Sequence, residues 1–112
     1  MNSSSFLDCC REPRLVRIRT LSESSHDLAA LQRCTSCAAY WLYRFHEYTD
    51  WASGVDDLTS WFTRLTDEEG TRILGAAEHE QTDLSFVRRR TSWLNDRDGV
   101  RRVKGAPHQP WS

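Results

Sequence analysis

Hydrophobic and polar residues alternate through the first half of the chain, and this alternation predicts strands. In Leu15-Val16-Arg17-Ile18-Arg19-Thr20, Val16, Ile18 and Thr20 fall on one side and Arg17 and Arg19 on the other. That is the period of a strand with one wet face. Ser22 to Asp27 reads as a polar turn, and Leu28 to Arg33 suits the return strand of a hairpin. The run from Ala39 to Tyr48 is dense in aromatic residues, which favour strands. As a strand it sets Trp41, Tyr43 and Phe45 opposite Tyr40, Leu42, Arg44, His46 and Tyr48. Cys37, Trp41, Arg44, Phe45 and Tyr48 also share helical spacing, but the strand is the reading adopted. A Gly-Asp loop over residues 53–57 leads to a last strand from Leu58 to Leu65, with Trp61, Thr63 and Leu65 opposite Phe62 and Arg64.

The pattern then changes period. Thr66-Asp67-Glu68-Glu69 has the form of a capping box, with Thr66 as N-cap and Glu69 reaching back to it. The helix it opens is expected to run to about Glu80 and to turn Ile73, Leu74 and Ala77 inward. Gly70 and Gly75 each weaken it by about 1 kcal/mol relative to alanine. Asp83 is placed to cap a second helix through Leu94, with Phe86, Val87, Trp93 and Leu94 inward and Arg88 and Arg89 outward. Residues 1–8 read as a disordered N-terminus, 9–94 as one domain and 95–112 as a polar, basic tail.

Composition narrows the classes. A chain of 112 residues is one domain. With 38% hydrophobic and 28% charged residues its core is lean, the situation in which a metal cross-link contributes most. The net charge of −1 points to neither nucleic acid nor membrane. Charge is nevertheless segregated. Seven acidic residues and only Arg64 lie between Glu47 and Glu69, while seven basic and two acidic residues lie between Arg88 and Lys104. The start of the chain has no cationic region followed by an apolar run, and no stretch approaches the ~20 apolar residues of a membrane span. A cytoplasmic protein is therefore expected, in which clustered cysteines read as metal ligands before disulfides.

Those cysteines carry the clearest chemistry. Cys34-Thr-Ser-Cys37 has the spacing that lets two thiolates on a tight turn converge on a tetrahedral ion. Cys9 and Cys10 lie upstream, with room between the pairs for two strands and a turn. The order is that of a zinc ribbon: pair, strand, hairpin, strand, pair, strand. Cys9, Cys10, Cys34 and Cys37 are thus the expected ligands of a structural Zn2+. Cys9 and Cys10 are adjacent, however, and neighbours in an extended backbone point to opposite faces. A turn or bulge is needed for both to ligate, failing which His26, His46 or Asp8 could complete the sphere. Unlinked thiols or a disulfide are the bland alternatives. A redox Cys34/Cys37 pair would want a helix starting at Cys34. Catalytic zinc is disfavoured because four thiolates leave no position for water. With no phosphate loop, nucleophile elbow or zinc-protease motif either, no enzyme is expected.

The fold expected is α+β: a small antiparallel zinc-ribbon-like sheet of three or four strands followed by one or two C-terminal helices. Eight of the twelve aromatic residues lie between Tyr40 and Glu69, too many for one small core. This predicts a non-enzymatic, metal-stabilised protein-binding module whose partner surface uses Tyr40, Trp41, Tyr43, Trp51, Asp56, Asp57 and Trp61. The alternative is a nucleic-acid-binding zinc ribbon using Arg88, Arg89, Arg90, Arg101 and Arg102.

Cys9-Cys10, Cys34-x-x-Cys37, Tyr40-Trp-Leu-Tyr-Arg44, Asp56-Asp57, Trp61-Phe62 and Leu65-Thr-Asp-Glu-Glu69 together resemble a group of small, uncharacterised bacterial proteins. The resemblance covers about residues 9–75 and leaves out the arginine-rich final third. It implies a domain type and carries no activity. Some small bacterial proteins of this build serve as immunity or partner proteins, an analogy at the level of fold.

Overall fold

The computed structural model describes residues 7–24, 26–50, 55–75, 84–96 and 99–105. Six strands form one antiparallel sheet in chain order: β1 (Leu15–Glu23), β2 (Asp27–Cys34), β3 (Tyr40–Asp50), β4 (Val55–Leu65), β5 (Ser92–Asp96) and β6 (Gly99–Val103). The helix α1 (Asp67–Gly75) and a 3-10 turn, Ser85–Arg89, intervene between β4 and β5. The α+β class and the antiparallel sheet are as expected, but the sheet has six strands rather than three or four.

The difference lies in the last third. Instead of a helix from Asp83 to Leu94 there is a 3-10 turn and then β5, and residues 99–103 of the expected tail form β6. Asp83 itself lies outside the described residues, as do Ala77, Glu80 and residues 1–6 and 106–112. The physical reason is a local hairpin signal. Asp96 pairs with Gly99 in the β5–β6 register, and Gly99 has φ 115°, a conformation that a residue with a side chain adopts only with strain.

Both faces of the sheet bury apolar side chains. On one face Leu31, Tyr40, Leu42, Trp61 and Leu65 pack with Ile73 of α1 and with Leu84 and Val87 at the 3-10 turn. On the other, Cys34, Trp41 and Phe62 pack with Ala39 and with Leu7, which precedes the sheet. Val16 does not follow the predicted alternation and is 46% exposed. The register of β1 against β2 slips between Arg17 and Arg19 and again between Thr20 and Ser22. Ile18 and Leu21 are the extra residues at these slips, and both pack against the α1-side core.

The capping box forms as predicted: Thr66 N–H donates to Glu69 Oε1 at 2.8 Å and Glu69 N–H to Thr66 Oγ1 at 3.1 Å. At the other end of α1, Arg19 Nη1 donates to the carbonyls of Ile73 (2.8 Å) and Leu74 (3.1 Å), groups that helix geometry leaves without a partner. Ile73 is buried, whereas Leu74 faces outward. Gly70 is also buried, with its Cα against the ring of Tyr40.

Candidate metal centre

β2 ends in Cys34, and residues 35–37 turn the chain towards β3. Ala38 N–H donates to Cys34 O, Cys34 N–H donates to Ala39 O, both at 2.8 Å, and Ala38 adopts a left-handed φ of 67°. This tight turn brings Cys37 round towards Cys34. Residues 9–12 form a series of bends rather than an extended strand, so the adjacent Cys9 and Cys10 reach the same point. The ligand atoms of all four cysteines lie within 4.8 Å of one another. Cys10 Sγ is 3.7 Å from Cys34 Sγ and 4.0 Å from Cys9 Sγ. A tetrahedral ion with metal–sulfur bonds of about 2.3 Å places its sulfurs about 3.8 Å apart. A disulfide needs about 2.05 Å, and all four thiols are free. The cluster has the dimensions of a four-thiolate cage.

The electrostatics of the cage are uneven. Burial pushes the Cys34 thiol up, but the backbone N–H groups of Arg14, Cys37 and Ser36 and the Cys10 thiol outweigh it and bring Cys34 down to about 6. Burial pushes Cys9 up to about 12, opposed by the indole of Trp41 and reinforced by the Cys37 and Cys34 thiols. Cys10 is raised by burial and by its thiol neighbours Cys34 and Cys37. In the protein alone the cage therefore accepts negative charge at Cys34 first and resists it at Cys9 and Cys10. A divalent cation offsets that resistance, because its charge favours every thiolate at once. Trp41 is 1% exposed, and its Nε1 has no oxygen or nitrogen acceptor.

The fallback ligands stand elsewhere. Asp8 accepts from Arg102 Nη2 at 2.9 Å, and His26 Nδ1 lies 2.8 Å from Glu47 Oε1. His46 lies beside the buried pair Asp27–Arg44, and burial lowers its pKa. Among the described residues, the four cysteines are the group arranged to hold a metal. No helix begins at Cys34, so the lowered thiol owes nothing to a helix N-terminus.

The expected partner surface is altered by the fold. Tyr40, Trp41 and Trp61 are core residues, and Tyr43 is half-buried with its ring 5.1 Å from Phe62. Trp51 and the side chains of Asp56 and Asp57 lie outside what the structure describes. Aromatic density here reflects a sheet buried on both faces, which alternation alone does not reveal. Residues that sequence reasoning missed as surface are Leu58 (52% exposed) and Val100 (41%). Both share the sheet face of Tyr43 and Trp93, opposite α1.

The arginines proposed for phosphate are largely committed within the protein. Arg90 forks onto both carboxylate oxygens of Glu69, with Nη2–Oε2 at 2.9 Å. Arg101 forks onto Asp96 at 3.1 and 3.0 Å. Arg102 pairs with Asp8 and stacks 4.7 Å from the centre of the Trp93 ring. Arg88 and Arg89 remain exposed on the 3-10 turn.

No helix among the described residues is long and apolar enough to cross a membrane. No family model, curated protein or solved structure matches the chain.

Proposed function

We propose that the chain is a non-enzymatic protein-binding module whose fold is stapled by one structural Zn2+ on Cys9, Cys10, Cys34 and Cys37. The observation that carries the reading is the four-thiol cage, whose sulfur separations of 3.7 and 4.0 Å match a tetrahedral ion. Four thiolates fill the coordination sphere, which supports a staple over a catalytic site. The partner is another protein, and the exposed Leu58 and Val100, on the same sheet face as half-buried Tyr43 and Trp93, support a contact on that face.

Metal analysis of the purified protein tests the staple. One zinc per chain is expected, lost on changing any of the four cysteines to serine. Replacement by Co2+ is expected to give the visible bands of a tetrahedral thiolate site. A chain that holds no metal after purification without chelator and on titration refutes the reading. Nucleic acid is the weaker reading because Arg90, Arg101 and Arg102 are ion-paired within the chain. Its test is binding to single- and double-stranded DNA across salt, and absence of binding at low salt removes it.

A further inference from the structure

Residues 7–14 run across the sheet rather than along it. At one end Arg14 O accepts from Thr35 N–H at 2.8 Å, and Glu12 O accepts from Ser36 Oγ at 2.7 Å, so the segment starts over the β2–β3 turn. Pro13 is fully buried. Cys10 lies against Cys34 at the end of β2, and Cys9 packs against the cluster that holds Trp41 of β3. Leu7 is buried in the cluster of Trp41 and Phe62, with Tyr43 and Trp93 packed around it. Asp8 then bridges to Arg102 on β6, at the far edge of the sheet. The segment has no strand or helix of its own, so the bonds at its Arg14 end, its buried side chains and the cage hold it.

What it lies on is an aromatic row. The register aligns Tyr43, Phe62, Trp93 and Arg102 across β3, β4, β5 and β6, with Trp41 one step nearer the cage. We infer that residues 7–14 are a metal-latched strap, the resident occupant of this row, so that metal occupancy decides whether the row is covered. The inference rests on the metal reading above and adds a consequence to it. Two of the four ligands belong to the strap and two to the sheet, so the ion is the link between them. Without it, the strap stays tied at its Arg14 end by the Thr35 and Ser36 bonds and by Pro13, while its outer part keeps Leu7 and the Asp8–Arg102 pair, more than half exposed at both partners. An exposed pair of this kind contributes little, about 0–1 kcal/mol. Release of the strap uncovers Trp41, Phe62 and Trp93 together, an apolar surface able to take a hydrophobic peptide in its place.

Hydrogen exchange of the full chain, zinc-loaded and after chelation, tests this, with metal content measured first. Chelation is expected to speed amide exchange in residues 7–14 at least about tenfold while β2, β3 and β4 stay protected. Binding of a hydrophobic dye should rise in parallel. In the loaded protein, the double variant Leu7→Ala/Asp8→Ala should keep its zinc and yet bind the dye, because the cage remains and the cover is weakened. The strap is overturned if exchange in residues 7–14 does not respond to chelation, or if all strands lose protection together. It is also overturned if the double variant stays as dye-silent as the parent. A protein that holds no zinc at the outset fails the metal reading itself and is recognised before exchange begins.

Discussion

Gly70 offers a perturbation whose sign separates local propensity from packing. Replacing an interior helical glycine by alanine ordinarily stabilises by about 1 kcal/mol. At Gly70, however, an added Cβ would lie 2.1 Å from Tyr40 Cγ, 2.3 Å from Cδ2 and 2.6 Å from Cβ. Ordinary carbon contacts are about 3.5–4.0 Å, so the overlap exceeds about 1 Å. The obstructing atoms are the root of the Tyr40 side chain, which is itself buried on β3 between Arg33 and Leu65. They cannot swing aside as a flexible tip would. Overpacking of this kind costs about 1–3 kcal/mol or more, so Gly70→Ala is expected to lose about 1–2 kcal/mol net. Gly75 is the internal control. Nothing lies within 4 Å of its Cβ position, and alanine there should be neutral or stabilising by up to about 1 kcal/mol. Urea unfolding of the metal-loaded protein at equal metal concentration measures both, with the difference read from the midpoints at constant slope. A Gly70→Ala protein as stable as or more stable than the parent would refute the close packing of α1 on β3.

Arg44 and Asp27 are 3.1 Å apart with side chains 1% and 4% exposed, so Arg44→Met strands a buried carboxylate and should cost about 3–5 kcal/mol in chemical unfolding. Adding Asp27→Leu should recover most of that loss, and failure to do so would show that the pair is not the source of the cost. Arg90 holds the Glu69 carboxyl below its usual range, so its folded pKa lies below the unfolded one. The stabilisation is present above the ordinary carboxylate pKa of about 4.3 and disappears as pH falls through the folded value. Glu69→Gln should flatten that part of the acid-unfolding curve, and an unchanged curve would exclude the contribution. Because Cys9 is pushed up to about 12 and Cys10 is also raised, zinc binding near pH 7 must release at least their two protons. Calorimetry in buffers of different ionisation enthalpy counts them, and fewer than two would remove one of these thiols from the ligand set.

The parts of the fold legible in the sequence are those decided by neighbours. The β1–β2 hairpin, the strand character of residues 40–48 and the Thr66–Glu69 box each depend on a few residues close in the chain. The Cys34–Cys37 turn was legible for the same reason. The role of Gly70 was not, because propensity describes a helix in isolation while the Tyr40 ring arrives from another element. The final hairpin was obscured by Arg88-Arg89-Arg90, which suits an exposed helical face but serves here as a short turn with Arg90 drawn to Glu69. Asp98-Gly99 was its available signal. The joint contribution of Cys9 and Cys10 required a bent backbone that no periodicity encodes, and burial of the sheet on both faces withdrew Trp41 and Trp61 from the surface that their abundance suggested.

Among the described residues the meander leaves two outer strands, β1 and β6, each with a row of backbone groups that no described strand pairs. In β1 the two slips beside β2 break that row into short, misaligned pieces, and the exposed Arg17 places charge along it. In β6 the outer strand is only five residues long and carries Arg101 and Arg102, both turned to ion pairs across its faces. Short, charged or irregular borders are poor templates for a further strand. The two edges therefore favour a molecule that stays discrete in a crowded solution, leaving its faces rather than its borders for contact with other chains.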